Sequence, residues 1–285
     1  MERVGDLELT WGESLRWDDR RARLYFVDCA AQTLHWLDGG EPPLHTVPMP
    51  SLPTGVVLTE GDSVVVCLDD GLHVVDPDAG TTRLLAAYPD GLSGRANDAA
   101  ADGAGGLVTG TLNLAAAPGS AWRWSSAGGW QLLDDDIGNL NGPVHLDLDG
   151  ASTLVLGDTV AAAVYAYDYD AAAGTVGPRR VLSDHSALGG APDGATADAD
   201  GGVWSCVLSS GKLVRLTAAG VDRVVDMPMA NPSDVAFGGG PHLDRLFVTA
   251  IAVDLGGGPP VREASWLHVD DSLGTGRPEH RVVVA

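Results

Sequence analysis

Short apolar runs recur along the chain at a nearly constant interval. They begin at Leu24 (LYFVD), Val64 (VVVCLDD), Leu107 (LVTGTLN), Thr153 (TLVLGDT), Gly202 (GVWSCVLSS) and Leu246 (LFVTAIA), at spacings of 40, 43, 46, 49 and 44 residues. After most of them a polar break leads into a second run that ends in a turn: TLHWLDGG, GLHVVDPDAG, AWRWSSAGG, VYAYDYDAAAG, KLVRLTAAG and SWLHVDDSLGTG. Residues alternate with a period of two, and Asp, Gly or Ala-Gly closes each run, which predicts β-hairpins. Helical periodicity is nearly absent. Six units of this length, each with several short strands, predict an all-β fold, a six-bladed β-propeller around a central channel.

No Pro/Ser-rich linker or low-complexity tract interrupts the series, so residues 1–285 read as one propeller domain, with Gly256 to Pro260 a loop inside the sixth unit. Closure is expected to pair strands from the two chain ends, leaving open which terminus supplies the closing strand. Composition then narrows the partners. Seventeen Lys and Arg against 39 Asp and Glu give a net charge of −22, which repels nucleic acid and anionic lipid, favours solubility and attracts cations. Cys29, Cys67 and Cys206 are odd in number, lie in apolar runs and lack C-x-x-C spacing, so they read as packing residues in a reducing compartment. The first residues lack a signal-peptide core and no stretch is long and apolar enough to span a membrane, so the expected location is the cytoplasm.

The repeat also aligns polar positions. About ten residues ahead of the apolar runs lie Glu13, Thr54, Asn97, Asn141, Asp193 and Ser233. The first strand of a propeller blade lines the channel, so these side chains are expected to converge on the axis. Buried carboxylates there are costly without a cation. Two carboxylates with amide carbonyls form an all-oxygen set suited to one divalent ion, Ca²⁺ first, with Zn²⁺, Mg²⁺ and Mn²⁺ as alternatives.

The residues resemble those of the SMP-30/gluconolactonase/regucalcin-like family, six-bladed propellers that bind a divalent cation and include sugar lactonases. The resemblance covers nearly the whole chain. It rests on Gly12-Glu13-Ser14 with Trp17 and LYFVD, on Arg95-Ala96-Asn97-Asp98 with Asp102 and Gly110-Thr111, and on VYAYDYDAAAG with Arg179-Arg180. Pro192-Asp193-Gly194 with Asp198 to Gly201 and Trp204, then Ser233 with AFGG and FVTA, complete it. The resemblance implies that Glu13, Asn141 and Asp193 bind the metal and that Arg95 and Asn97 face the substrate. Asn141-Gly142-Pro143 sits one residue further from Asp149-Gly150 than the family pattern has it, so either a one-residue bulge intervenes or Asn139 is the amide ligand. Where animal-type sugar lactonases carry a Glu after Gly110-Thr111, this chain has Leu112 to Ala117, an apolar segment that removes one partner for a polyhydroxylated substrate.

The function expected from these features is metal-dependent hydrolysis of a small lactone or related ester. The cation polarises the carbonyl and activates water, Asp193 doubles as ligand and base, and Arg95 and Asn97 hold the substrate. Two other readings stand beside it: a metal-dependent dehydratase, isomerase or cyclase acting on a less polar metabolite, motivated by Ala115 to Ala117, and a non-enzymatic calcium-binding or scaffold propeller, motivated by the charge. The expected partner is a small molecule, the expected state a monomer or weak homo-oligomer. The chain lacks G-x-S-x-G, which argues against Ser209 or Ser210 as nucleophile with His185, and it lacks nucleotide-binding glycine motifs. Asp198 to Gly201 and Asp147 to Gly150 read as hairpin turns, His145 as a candidate channel residue, and Trp11 and Trp17 as either pocket floor or core.

Overall fold

The repeating hairpins fold into six antiparallel sheets, and the computed structural model describes residues 1–92, 95–112, 119–252 and 266–284. Strand β1 (Glu2–Glu8) precedes the first full unit, β2 (Gly12–Asp18), β3 (Arg23–Asp28), β4 (Thr33–Asp38) and β5 (Leu44–Pro48). The second and third are β6 (Gly55–Leu58), β7 (Val64–Leu68), β8 (Gly71–Asp76) and β9 (Thr81–Ala87), then β10 (Arg95–Ala101), β11 (Leu107–Leu112), β12 (Ala121–Ser125) and β13 (Gly129–Asp134). The fourth has β14 (Leu140–Leu148), β15 (Ala151–Asp158), β16 (Ala163–Asp170), β17 (Thr175–Val176) and β18 (Arg180–Asp184). The fifth has β19 (Ala191–Ala197), β20 (Val203–Leu208), β21 (Lys212–Thr217) and β22 (Gly220–Asp226), and the last β23 (Pro232–Gly238), β24 (Arg245–Ala250) and β25 (Trp266–Asp270).

The first strand of each unit packs on the first strand of the next, β2 on β6, β6 on β10, β10 on β14, β14 on β19, β19 on β23, and β23 back on β2. That closed ring makes the fold a six-bladed propeller with these strands around the axis. The apolar runs are the second strands of the blades. They read as continuous apolar segments because each blade is covered on both faces by its neighbours, and β7 has no exposed residue. Outer strands such as β9 and β22 lie mostly in solvent, where that constraint lapses. Trp17 belongs to this interblade core, stacked on Phe247 with ring centroids 6.3 Å apart. Cys29, Cys67 and Cys206 are buried free thiols. Among the described residues no helix is long and apolar enough to cross a membrane.

Closure comes from the N-terminus. β1 pairs antiparallel with β25, Glu2 opposite Val269, and becomes the outer strand of the sixth blade. The segment after β25 does something different: it crosses the channel at the end where the innermost strands finish. Thr275 accepts a bond from Ala199 N, Gly276 N donates to Leu243 O, Val282 N to Leu58 O and Val283 N to Gly105 O. Arg277 donates to the His145 carbonyl, and Arg281 pairs with Asp18 at 2.6 Å and Asp19 at 2.7 Å. This strap therefore touches all six blades. A cavity of about 20 Å³ remains above it, lined in part by Arg16, Pro143, His145, Arg277 and Glu279. That is room for about one water, and it is where His145 meets the channel. The Gly256 to Pro260 loop lies outside the described residues.

Candidate active site

The other end of the channel is built by a shared irregularity in the innermost strands. Pairing with the second strand slips between Glu13 and Arg16, Ala96 and Ala99, Asn141 and Val144, Pro192 and Ala195, and Pro232 and Val235. Each slip places two residues against one, a β-bulge that re-aims side chains toward the axis. Asn141 stands in the register position of Glu13, and Gly142 behind it adopts φ +50°. A Cβ on Gly142 would lie 2.8 Å from Asp193 O, so the close approach of β14 to β19 needs glycine there. Asn139 lies just before β14, its backbone N–H bonded to Asp158 Oδ1 and its own Oδ1 buried without a partner among the described residues.

A ring of interblade hydrogen bonds holds this end. Ser14 Oγ accepts from Val56 N, Thr54 Oγ1 donates to the Ala96 carbonyl, and Asn97 Nδ2 donates to Leu140 O at 2.9 Å and Asn141 Oδ1 at 2.7 Å. Asn141 Nδ2 donates to Thr159 Oγ1, which donates to Pro192 O, and Ser233 Oγ donates to Gly12 O. Thus all six aligned polar positions lie at one end of the channel. Thr54 and Ser233 spend their hydroxyls on backbone carbonyls of the next blade, whereas Asn141 Oδ1 accepts from Asn97 and Glu13 Oε1 from Trp11.

The electrostatics separate two layers. In the deeper one, Arg16 bonds Asp98 Oδ1 at 3.1 Å and Asp234 Oδ2 at 3.3 Å, and it donates to the Ala99 carbonyl. Asp98 also takes Gly142 N, and Asp234 takes Leu15 N at 2.6 Å, so both acids are well partnered. Above them, Glu13 Oε1 accepts a hydrogen bond from the Trp11 indole at 3.1 Å, and Asp193 is stabilised by the Gly194 backbone. Burial, then the charge of Asp193 and the other acids, raises the Glu13 carboxyl well above its ordinary pKa. Asp193 is raised well above its own by burial first, then by Asp234 and Asp98. Burial likewise lifts Asp234 to about 8 against the opposing pull of Arg16. Four acids thus share one guanidinium, which is committed to the deeper two.

Glu13, Asp193 and the Asn141 amide oxygen are the donors that could hold a cation here. Among the described residues no three His, Cys, Asp or Glu side chains cluster for metal binding, so such a site needs the amide. Arg95, half-buried at the start of β10, lies 3.7 Å from Asp69. Asn97, also half-buried, has its Oδ1 unbonded to any described residue while both Nδ2 protons are committed. Leu112 ends β11, and the rest of the apolar segment through Ala117 lies outside the described residues. His185 is fully buried beside Ser205 at 3.4 Å, away from any pairing with Ser209 or Ser210. The Asp198 turn is a hairpin whose carboxylate takes Asp200 N, Gly202 N and Arg215.

The sequence gives no site role to Arg16, Asp234 or Thr159, and it carries Asp98 only as part of the Arg95-Ala96-Asn97-Asp98 motif. Asp98 and Asp234 each follow an aligned polar residue, Asn97 and Ser233. Comparing the repeat one position further along would have found both.

A six-bladed propeller with a bulged ring of acids and amides at one channel end is the class this molecule defines. A sequence model described as the SMP-30/gluconolactonase/LRE-like region matches residues 11–252, and the chain belongs to that family. It is 32% identical to a pentonolactonase of Haloferax volcanii over 98% of this chain and 97% of the relative. It is 31% identical to an L-arabinolactonase of Azospirillum brasilense over 88% and 84% of the two chains, and 30% identical to a 6-deoxy-6-sulfogluconolactonase of Pseudomonas putida over 84% and 82%. Among solved structures, a calcium-binding protein, regucalcin, from Agrobacterium tumefaciens superposes with TM-score 0.86 at 23% identity, covering 100% of this chain and 97% of the other. That likeness concerns the fold.

Proposed function

We propose that this protein is a lactonase that hydrolyses a sugar-acid lactone at the Glu13 end of the channel with the help of one divalent cation, calcium first among the candidates. The observation that carries the reading is the pair of half-buried Glu13 and buried Asp193, acids whose ionisation the fold opposes and no cation among the described residues relieves, flanked by an oriented amide. Such a pair fits a dication, since two carboxylates gain from it what burial withholds. Three relatives named for lactones of sugar acids support the substrate class.

Glu13, Asn141 and Asp193 would hold the cation. Bound there, it supplies Lewis-acid polarisation of the lactone carbonyl and a lowered pKa for an attacking water. Asp193 would accept the water's proton from its place among the groups that hold the cation. Asn97 offers Oδ1, an acceptor, to a substrate hydroxyl, because its amide protons are already used. Arg95, with its partner Asp69 at 3.7 Å, supplies a positive group for the carbonyl or the carboxylate that ring opening creates. The deeper Arg16, Asp98 and Asp234 lattice keeps the bulges in place.

The test is a pH-stat assay of the metal-replete protein on pentonic and hexonic lactones, with product mass read in parallel. Acid release with the gain of one water is expected. No hydrolysis across γ- and δ-lactones overturns the reading, and a product of unchanged mass points to isomerisation instead.

A further inference from the structure

We propose that Thr159 is a positioning residue that fixes which end of the Asn141 amide is presented to the cation, an inference that rests on the metal site proposed above. An asparagine amide can be placed two ways, and only one offers oxygen. Thr159 Oγ1 lies 2.9 Å from Pro192 O, a group that can only accept. The single hydroxyl proton is therefore committed, and Thr159 can only accept from Asn141, so the Asn141 atom at 2.7 Å is Nδ2.

The opposite side agrees. Asn97 Nδ2 is bound to the Leu140 carbonyl, again acceptor-only, and its second proton meets Asn141 at 2.7 Å, so that atom is Oδ1. The relay from Asn97 through Asn141 and Thr159 ends at backbone carbonyls on both sides, which leaves one polarity. Oδ1 keeps a second lone pair for a cation. Because Pro192 precedes Asp193, the same hydroxyl ties the amide on β14 to the strand that carries the acid. Removing it leaves Nδ2 buried with no acceptor among the described residues, and the amide is then free to turn.

The experiment is calorimetric titration of the chelator-stripped protein with Ca²⁺ and Zn²⁺, beside thermal unfolding in chelator. Thr159→Val is expected to weaken binding about 10- to 100-fold, the usual loss when a ligand's supporting partner is removed. Thr159→Ser, which restores the hydroxyl, is expected to keep the wild-type affinity. In an Asn141→Ala background, Thr159→Val should add no further loss. Should the valine variant unfold in chelator, Thr159→Ala takes its place. Wild-type affinity in Thr159→Val, or losses that multiply in the double variant, overturns the proposal. A wild-type protein that binds neither ion overturns the metal site itself.

Discussion

The two ends of the innermost strands use the same residue types for opposite purposes. Where the strands finish, each buried acid has a cation: Asp102 meets Arg123 at 2.6 Å, Asp198 meets Arg215 at 2.6 Å and Asp18 meets Arg281 at 2.6 Å. Arg123 and Arg215 hold the pKa of their partners below the usual range even though burial pushes the other way. Where the strands begin, Glu13 and Asp193 have no such partner among the described residues and are pushed up. A propeller is symmetric enough to satisfy both ends alike, so the unsatisfied one marks where function departs from stability.

The largest effect expected is at the unsatisfied end. Asp193→Asn should lower kcat/KM for a lactone substrate about 10³- to 10⁴-fold, since it removes a ligand and a base together. Its thermal stability without metal should hold or rise, because a costly buried charge is gone. Steady-state assay beside thermal unfolding checks both halves. A large loss of metal-free stability would mean that Asp193 belongs to the scaffold, and the contrast between the ends would collapse.

At the satisfied end the expectation reverses. Asp102→Asn leaves Arg123 buried without its charge partner, and breaking a buried pair from one side costs about 3 to 5 kcal/mol. Denaturant unfolding should show that loss, while kcat/KM below the new melting temperature stays near wild type. The Arg123 head group also meets Tyr169 at 3.1 Å, which moderates but does not replace the lost acid.

Legibility in the sequence followed burial. Runs such as VVVCL on β7 announced themselves because both faces are covered. The innermost strands did not: RANDAAA on β10 and APDGATA on β19 are rich in Ala, Asn, Asp, Gly and Pro, poor strand formers retained for bulges and close approach. They were located only by their offset from the second strands. That offset sufficed to align Glu13, Asn141 and Asp193. It could not reveal Arg16, whose partners Asp98 and Asp234 lie 82 and 218 residues away, nor the strap, which has no alternation because it forms no blade. The slip after Asn141 is shared with four other innermost strands, and Asn141 bonds both Asn97 and Thr159.

An intermediate effect concerns pH. For acids raised in the folded state, the unfolded chain releases its protons first, so stability falls as pH climbs from the ordinary carboxylate range toward the folded value. For Asp234, raised to about 8, that window runs from about 4 to about 8, and Glu13 and Asp193, also raised, act in the same direction. His145 and His185, lowered by burial to about 4, act oppositely and add stability as pH rises from about 4 to 6.5. Saturating Ca²⁺ should remove the acid slope and leave the histidine slope. The difference between melting curves with chelator and with Ca²⁺ isolates the acids, and it should widen as pH rises. A difference that is flat between pH 5 and 8 would show that the cation does not engage them.

The smallest effect concerns the residue that touches the site from outside the ring. Trp11 donates to Glu13 Oε1 at 3.1 Å, and Trp11 itself is held by the isolated bridge to Ile251 and by its carbonyl accepting Cys29 N. Trp11→Phe keeps an aromatic side chain but removes the N–H along with the pyrrole half of the indole. A hydrogen bond to a charged group is worth about 1.5 to 3 kcal/mol when both partners stay dry; the carboxylate here is half-buried, so water can replace part of it. The expected loss in cation affinity is therefore about 3- to 10-fold, smaller than for Thr159→Val, whose amide has no solvent substitute. A larger loss for Trp11→Phe than for Thr159→Val would reverse that ranking, and would make the acid's placement, not the amide's polarity, the feature on which the open end depends.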